Sequence, residues 1–368
     1  MQKNDKFLAF PFYSTGGMIN LLMELEIRVG LALLSGRTLV SPNKYPISPM
    51  DEDHLYGRYR EAGLLDLYDL PVRHISLTKL YKRGFDSLYS LGWQGNCASE
   101  AYFSQLEPNH FTRQDLDQFR MKRQYEWKFP DNDADVWGCG VQRTFANYSY
   151  FFLVQPEKRK RFLSNMAKIQ PKVEYLNLAQ KITKEIAEYN AIHVRRGDFK
   201  SWWVKTATPE SVLSTISGFM SADKPLVICT DNSQEGMFFS PIAKAYPKSL
   251  LLDEHIEREY QSEIAALPYS DASVVALLSI LVAANAKEFA GTPFSTFTSA
   301  IHRRRMQRQK GQQQRFIHNP FDPVLTPMKE GVFLETKAGP FSWNRLNLQL
   351  PETANALAWF REWPEAVS

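Results

Sequence analysis

Apolar and polar positions fall into blocks along this chain, and the blocks change period in a regular order. Residues 7–10 form a short apolar stretch, and Ser14-Thr15-Gly16-Gly17 follows as a turn with two residues able to take positive φ. From residue 20 to about 35, Leu22, Leu25, Val29 and Leu33 recur on one helical face. The stretch is apolar nearly all round, which predicts a well-buried helix. Gly36 ends it, and Thr38-Leu39-Val40 opens a second strand before Pro42. These segments predict a β-α-β unit.

The second half repeats the alternation. Residues 191–194 predict a strand, and Thr208-Pro209-Glu210 a helix start with threonine as N-cap and proline in the first turn. Leu226-Val227-Ile228-Cys229 is an unbroken apolar run, as in a parallel strand covered on both faces. Residues 249–252 predict another strand. Asp271 caps a long apolar helix to about residue 286, Glu288-Phe289-Ala290 is a strand, Gly291-Thr292-Pro293 a turn, and 295–305 a helix. Strands alternating with helices predict an α/β fold with a doubly wound parallel sheet. Residues 43–150 have weak periodicity and predict short helices and long loops. Residues 155–190 predict charged connecting helices. The expected division is 1–175, 190–310 and a C-terminal extension, 311–368, whose helix at 352–363 packs back toward the first domain.

Composition narrows this. A length of 368 residues fits two domains of about 150 each. The 13% aromatic content excludes global disorder, and a net charge of +4 gives no case for a polyanion partner. Cys97, Cys139 and Cys229 are too widely spaced for a disulfide framework or a zinc site, and read as free thiols in a reducing cytoplasm. The apolar run at 274–284 is shorter than the ~18 residues of a spanning helix. The run at 7–12, broken by Pro11, is shorter than the ~7–15 residues of a secretory core. The expectation is a cytoplasmic protein with no membrane span.

Four constellations carry chemistry. His193-Val194-Arg195-Arg196-Gly197-Asp198-Phe199 lies just past a predicted strand, where ligands bind in open α/β sheets. Alternation along the strand points His193 and Arg195 one way and Arg196 the other, and a guanidinium fork suits phosphate. Gly291-Thr292-Pro293-Phe294-Ser295-Thr296-Phe297-Thr298 is a strand–turn–helix junction, and a helix start offers N–H groups to an anion. Without Gly-Lys-Ser/Thr it is no P-loop. Gly16-Gly17-Met18-Ile19-Asn20 lets backbone approach a ligand, but it is not G-x-G-x-x-G. The basic run at 303–315 reads as a solvated helix end or as an anion contact. Metal-ligand spacings are absent, so no metal is expected.

Together these motifs resemble the GDP-fucose O-fucosyltransferase family. Gly17-x-x-Asn20 followed by a helix and Arg37-Thr38-Leu39-Val40 is similar to the family's Gly-x-x-Asn…Arg-Thr-Leu segment. His193 to Asp198 is similar to its His-x-Arg-x-x-Asp motif. Asp271 with Phe289-Ala290-Gly291…Ser295-Thr296-Phe297-Thr298 is similar to its final Asp…Phe-x-Gly-Asn-x-x-Ser-Thr-Phe-Ser motif, with Thr292 in place of the asparagine. Residues 43–185 match nothing in that family.

The resemblance implies a GT-B architecture, with two Rossmann-like domains facing across a cleft, the first on the acceptor side and the second holding the nucleotide sugar. It implies an inverting, metal-independent fucosyltransferase with GDP-fucose as donor substrate, no cofactor, and a glycan or protein acceptor. Arg195 would grip the β-phosphate, with Gly17, His193, Asp198, Asp271, Ser295, Thr296 and Phe297 as the other donor contacts. Asn20 would face the reacting sugar, and Glu24 is the nearest carboxylate after the turn to serve as general base. A non-catalytic nucleotide-sugar or glycan-binding module is the alternative. Nucleic acid is not an expected partner.

Overall fold

The structure is a computed structural model, and it describes residues 6–9, 18–41, 63–82, 136–138, 164–165, 167–197, 208–292, 295–308, 335–336 and 339–340. The described residues divide into two compact units, one up to Gln170 and one from Pro171 onward. The helix expected at 352–363, most of the 43–150 region expected to hold short helices and long loops, and Cys97 and Cys139 lie outside the described residues.

The first unit begins with β1 (Phe7–Ala9), α1 (Met18–Ser35) and β2 (Thr38–Ser41), the β-α-β unit its periodicity predicts. Leu21, Leu22, Leu25 and Val29 are buried, and α1 ends at Gly36 with φ +67°. The guanidinium of Arg37, itself buried, donates from Nη1 to the Phe7 carbonyl at 3.1 Å and so ties the head of β2 to β1. Then come α2 (Leu64–Leu67), β3 (Tyr68–Asp69), β4 (His74–Ser76), α3 (Leu77–Tyr81) and β5 (Val136–Gly138), and β6 (Gln170–Pro171) lies at the division of the chain into units. The parallel sheet has the order β4-β2-β1-β5. Strands β4 and β5 are additions to the sequence reading, because three residues are too few to show a period.

The second unit holds α4 (Val173–Ile186), β7 (Asn190–Val194), α5 (Pro209–Ile216), β8 (Leu226–Thr230), α6 (Gly236–Ala245) and β9 (Ser249–Leu251). These are followed by α7 (Leu252–Glu259), α8 (Gln261–Ala265), α9 (Ala272–Asn285), β10 (Phe289–Gly291), α10 (Thr296–Arg308), β11 (Glu335–Thr336) and β12 (Gly339–Pro340). As the sequence predicts, Thr208 caps α5 by accepting from the Ser211 N–H, and Asp271 caps α9 by accepting from the Ser273 N–H. Strand β9 stops one residue early, because Leu252 already belongs to α7.

The four strands β7 to β10 form a parallel sheet in the order β10-β7-β8-β9, and β7 and β8 are buried along their whole length. One sheet face, carrying Ile192, Val194, Leu226, Ile228 and Ala290, packs on Val212 and Ile216 of α5 and on Phe238, Phe239 and Ile242 of α6. Burial of that many large apolar side chains at about 25 cal/mol per Å2 dominates the unit's stability. Helix α9 has almost no polar face: every residue from Ser273 to Ala284 is buried, and it packs against α4, α7 and α10.

Arg305 corrects the reading of the basic run as solvated. It is buried, and its guanidinium donates to the carbonyls of Ala284, Ala286 and Lys287, where α9 ends. A cation there meets the orphan carbonyls and the negative end of the helix dipole.

The chain path creates one special position. From β7 the connections run outward through β8 to β9, then return to place β10 on the other side of β7. The direction reverses between β7 and β10, and the crevice at the carboxyl ends of such a strand pair is where open α/β sheets bind ligands. Gly291 lies level with His193 across this pair. A Cβ on Gly291 would meet Thr298 Oγ1 at 2.6 Å, so α10 rests directly on the strand end. Gly291→Ala is therefore expected to destabilise the second unit by roughly 1–3 kcal/mol, read as a lower urea midpoint.

Candidate functional site

The β7 end is shaped by a carboxylate the sequence reading did not single out. Asp231 follows the last residue of β8 and is buried. Its Oδ1 accepts the N–H of Arg196 at 2.6 Å and the N–H of Gly197 at 2.9 Å. Its Oδ2 lies 3.0 Å from Arg195 Nε, an ion pair by proximity, although Oδ2 has no well-aligned hydrogen bond. Burial alone would raise the carboxyl's pKa. The Arg195 charge and the two N–H donors outweigh it and hold the group below its ordinary value. A Cβ on Gly197 would sit 2.5 Å from Asp231 Oδ2, so the turn closes onto the carboxylate only with glycine there.

The expected alternation holds. His193 faces α10, while Arg196 turns to the opposite face, stacks 4.0 Å from the Phe238 ring and donates from Nε to Glu235 Oε2 at 2.6 Å. Glu235 also accepts from Asn232 Nδ2 at 3.1 Å. Arg196 is thus committed to the fold, and of the two arginines Arg195 is the one aligned with the site. Its side chain keeps 18% exposure at the sheet edge.

His193 is buried, its Nδ1 lies 2.7 Å from Thr298 Oγ1, and its ring stacks on Phe297 at 4.7 Å. Desolvation pushes its pKa down to about 3; the Asp231 charge opposes this and the Arg195 charge adds to it. The imidazole is therefore neutral at physiological pH and acts through hydrogen bonding and stacking.

Thr292 joins the two strand ends: its Oγ1 accepts from the Arg195 N–H at 2.9 Å and donates to the His193 carbonyl at 3.1 Å. Ser295 is buried before the first turn of α10, and its carbonyl accepts the Ser299 N–H at 3.1 Å. The N–H groups of Thr296, Phe297 and Thr298 belong to the helix start, where no intrahelical acceptor exists.

Of the expected residues, the structure brings His193 against Phe297, places Arg195 at the end of β7 and Ser295 and Thr296 at the start of α10, and adds the contacts of Asp231, Thr292 and Thr298. Asp271 sits at the start of α9, with one carboxylate oxygen engaged as the cap. Asn20 and Glu24 lie on α1 of the first unit. Gly17 and Asp198 are outside the described residues. Among the described residues no cluster of three or more His, Cys, Asp or Glu forms a metal-ligating group, and no helix is long and apolar enough to cross a membrane.

No protein-family model matches the sequence, and no curated protein matches it. Solved structures similar to the chain include the NodZ alpha-1,6-fucosyltransferase soaked with GDP-fucose, at 16% identity over 81% of this chain and 92% of that one, with a TM-score of 0.46. Another is fucosyltransferase NodZ from Bradyrhizobium, at 15% identity over 82% and 93%, TM-score 0.45. A third is POFUT1 in complex with GDP-fucose, at 12% identity over 87% and 99%, TM-score 0.48.

The neutral His193 gives the second unit a defined acid sensitivity. Its folded pKa, about 3, lies below the ordinary 6.5, so between these values the unfolded chain binds the extra proton. Stability is full above about pH 6.5 and falls as the pH drops toward 3. His193→Gln is expected to flatten this slope in urea unfolding measured from pH 7 to pH 4.

Proposed function

We propose that the chain is an inverting, metal-independent glycosyltransferase of GT-B architecture that moves fucose from GDP-fucose to a hydroxyl of a glycan or protein acceptor in the cytoplasm. In this reading residues 190–310 hold the sugar nucleotide, 1–175 face the acceptor across a cleft, and 311–368 extend back toward the first domain. The observation that carries it is the junction at the reversal point of the sheet, where Arg195, fixed by Asp231, is tied through its N–H to Thr292 after β10 and His193 meets Phe297 and Thr298 in the first turn of α10. A guanidinium and helix-start N–H groups converging on one strand end are the groups a departing diphosphate needs.

The chemistry follows from where charge develops. As the bond from the sugar to the β-phosphate breaks, negative charge grows on the leaving oxygens, and Arg195 with the N–H groups of Ser295, Thr296 and Phe297 receives it. His193, neutral and held by Thr298, offers its other ring nitrogen to the nucleotide without adding charge. Asp271 and Asp198 complete the nucleotide contacts, and Gly17 lets backbone approach the donor. Positive character on the sugar is met by the acceptor hydroxyl from the opposite face. Asn20 positions the sugar, and Glu24 takes the proton.

Two measurements test the reading. In a thermal-shift panel of GDP, UDP and their sugars, GDP and GDP-fucose are expected to stabilise the protein, by about 2.7 kcal/mol at a hundredfold excess over Kd. Stabilisation by UDP compounds alone contradicts the donor. Arg195→Lys keeps a cation beside Asp231 but removes the planar fork, and transfer is expected to fall roughly 100-fold or more with little change in unfolding midpoint. Undiminished transfer contradicts the role of Arg195. GDP-fucose binding by the unmodified protein without transfer to any acceptor indicates the binding-module alternative.

A further inference from the structure

The contact between His193 and Thr298 decides which way a ligand's hydrogen bond must run at this edge of the site. Nδ1 of His193 lies 2.7 Å from Thr298 Oγ1, and either atom could donate. Thr298 is seated against the end of β10, since a Cβ on Gly291 would come within 2.6 Å of its Oγ1. The imidazole plane is set from the other direction by Phe297, stacked at 4.7 Å with 27° between the rings.

Proton accounting separates the two arrangements. A neutral imidazole has one N–H, and a hydroxyl has one proton to give. With the hydrogen on Nδ1, Thr298 would accept it, and the hydroxyl proton would need a second acceptor. Water does not supply one, because Thr298 is 0% exposed. A carbonyl of the preceding turn is the common outlet for a threonine in a helix, but among the described residues Thr298 Oγ1 has no partner besides His193. A buried hydroxyl proton without an acceptor is the costlier state. With Thr298 as donor, Nδ1 accepts, both buried groups are satisfied, and the ring hydrogen resides on Nε2. Nε2 itself has no partner among the described residues. Burial keeps the ring from taking a second proton, with the Asp231 charge favouring that proton and the Arg195 charge opposing it.

We propose that Thr298 is a positioning residue that holds His193 in the tautomer protonated on Nε2, so that this edge of the site presents a fixed donor and takes a hydrogen-bond acceptor of the nucleotide. The acceptor is an oxygen or an unprotonated ring nitrogen, on the base or on the diphosphate. A ligand N–H or NH2 at the same place would meet a donor and be rejected. Because the proton is placed in advance, it need not move when the ligand arrives. The tautomer is a property of the protein itself; the acceptor's identity rests on the reading of the site as a sugar-nucleotide site.

The test is a long-range 1H–15N correlation spectrum of the protein labelled at its histidine nitrogens, recorded free and with GDP-fucose, with His193→Gln assigning the His193 signals. Calorimetric binding of GDP-fucose to Thr298→Val and Thr298→Ser accompanies it. The unmodified protein is expected to show a protonated Nε2 and an unprotonated Nδ1 in both states, with the Nε2 signal moving on addition of GDP-fucose. Guanosine and inorganic pyrophosphate, added separately, tell by which of them moves that signal whether the acceptor is on the base or on the diphosphate. Thr298→Val keeps the shape and deletes the hydroxyl, and is expected to mix the tautomers and weaken GDP-fucose binding about tenfold. Thr298→Ser keeps the hydroxyl, and is expected to retain the tautomer and bind within about threefold of the unmodified protein. A protonated Nδ1 in the unmodified protein, or undiminished binding by Thr298→Val together with a loss in Thr298→Ser, overturns the role of Thr298 and leaves the site assignment standing. Absence of GDP-fucose binding by the unmodified protein overturns the sugar-nucleotide reading, and the acceptor role with it.

Discussion

The shape of the second unit's candidate site depends on the buried carboxylate of Asp231. It replaces lost water with two backbone N–H donors and a nearby guanidinium, and those three groups belong to consecutive residues, Arg195, Arg196 and Gly197. One side chain at the end of β8 thereby dictates how the chain leaves β7. The contact also fixes residue choice around it, since Gly197 has no room for a Cβ. A buried acid that lost these partners would carry an unmet desolvation cost of several kcal/mol.

The other wall of the crevice is set by the same kind of close approach. Gly291 lets Thr298 reach the end of β10, and Thr298 in turn meets His193 at 2.7 Å. Thr292 then links the carbonyl of His193 to the N–H of Arg195. Through these contacts the strand end and the helix start have a defined spacing, which in the proposed reading leaves the anion donors little reorganisation on binding. The polar residues that do this are nearly all buried, and each has a partner that accounts for its burial.

Much of this was legible along the chain. Unbroken apolar runs and capped helices from residue 190 onward mark a parallel sheet, and simple alternation separates His193 from Arg196. The hydroxyl-rich junction after Gly291 was visible as a helix start. What stayed hidden depended on contacts between distant segments. A single aspartate after an apolar strand looks like an ordinary turn residue, and nothing local shows that Asp231 lies against a turn 34 residues earlier. Glu235 was equally unmarked, as an acid at the start of a helix. Arg305 read as part of a solvated basic run because its acceptors are carbonyls, which carry no sequence signal. The short strands β4 and β5 were missed because the interactions defining them are backbone pairings, not side-chain pattern.

The central claim is that the Asp231-anchored turn and the start of α10 together form an anion cradle for a nucleoside diphosphate. The most direct measurement is a crystal structure of the chain with GDP bound. The account predicts the β-phosphate within hydrogen-bond reach of the Arg195 guanidinium and of the backbone N–H groups at Ser295 to Phe297, with His193 unmoved against Thr298. A diphosphate bound elsewhere, with Arg195 and the start of α10 untouched by it, would contradict the account.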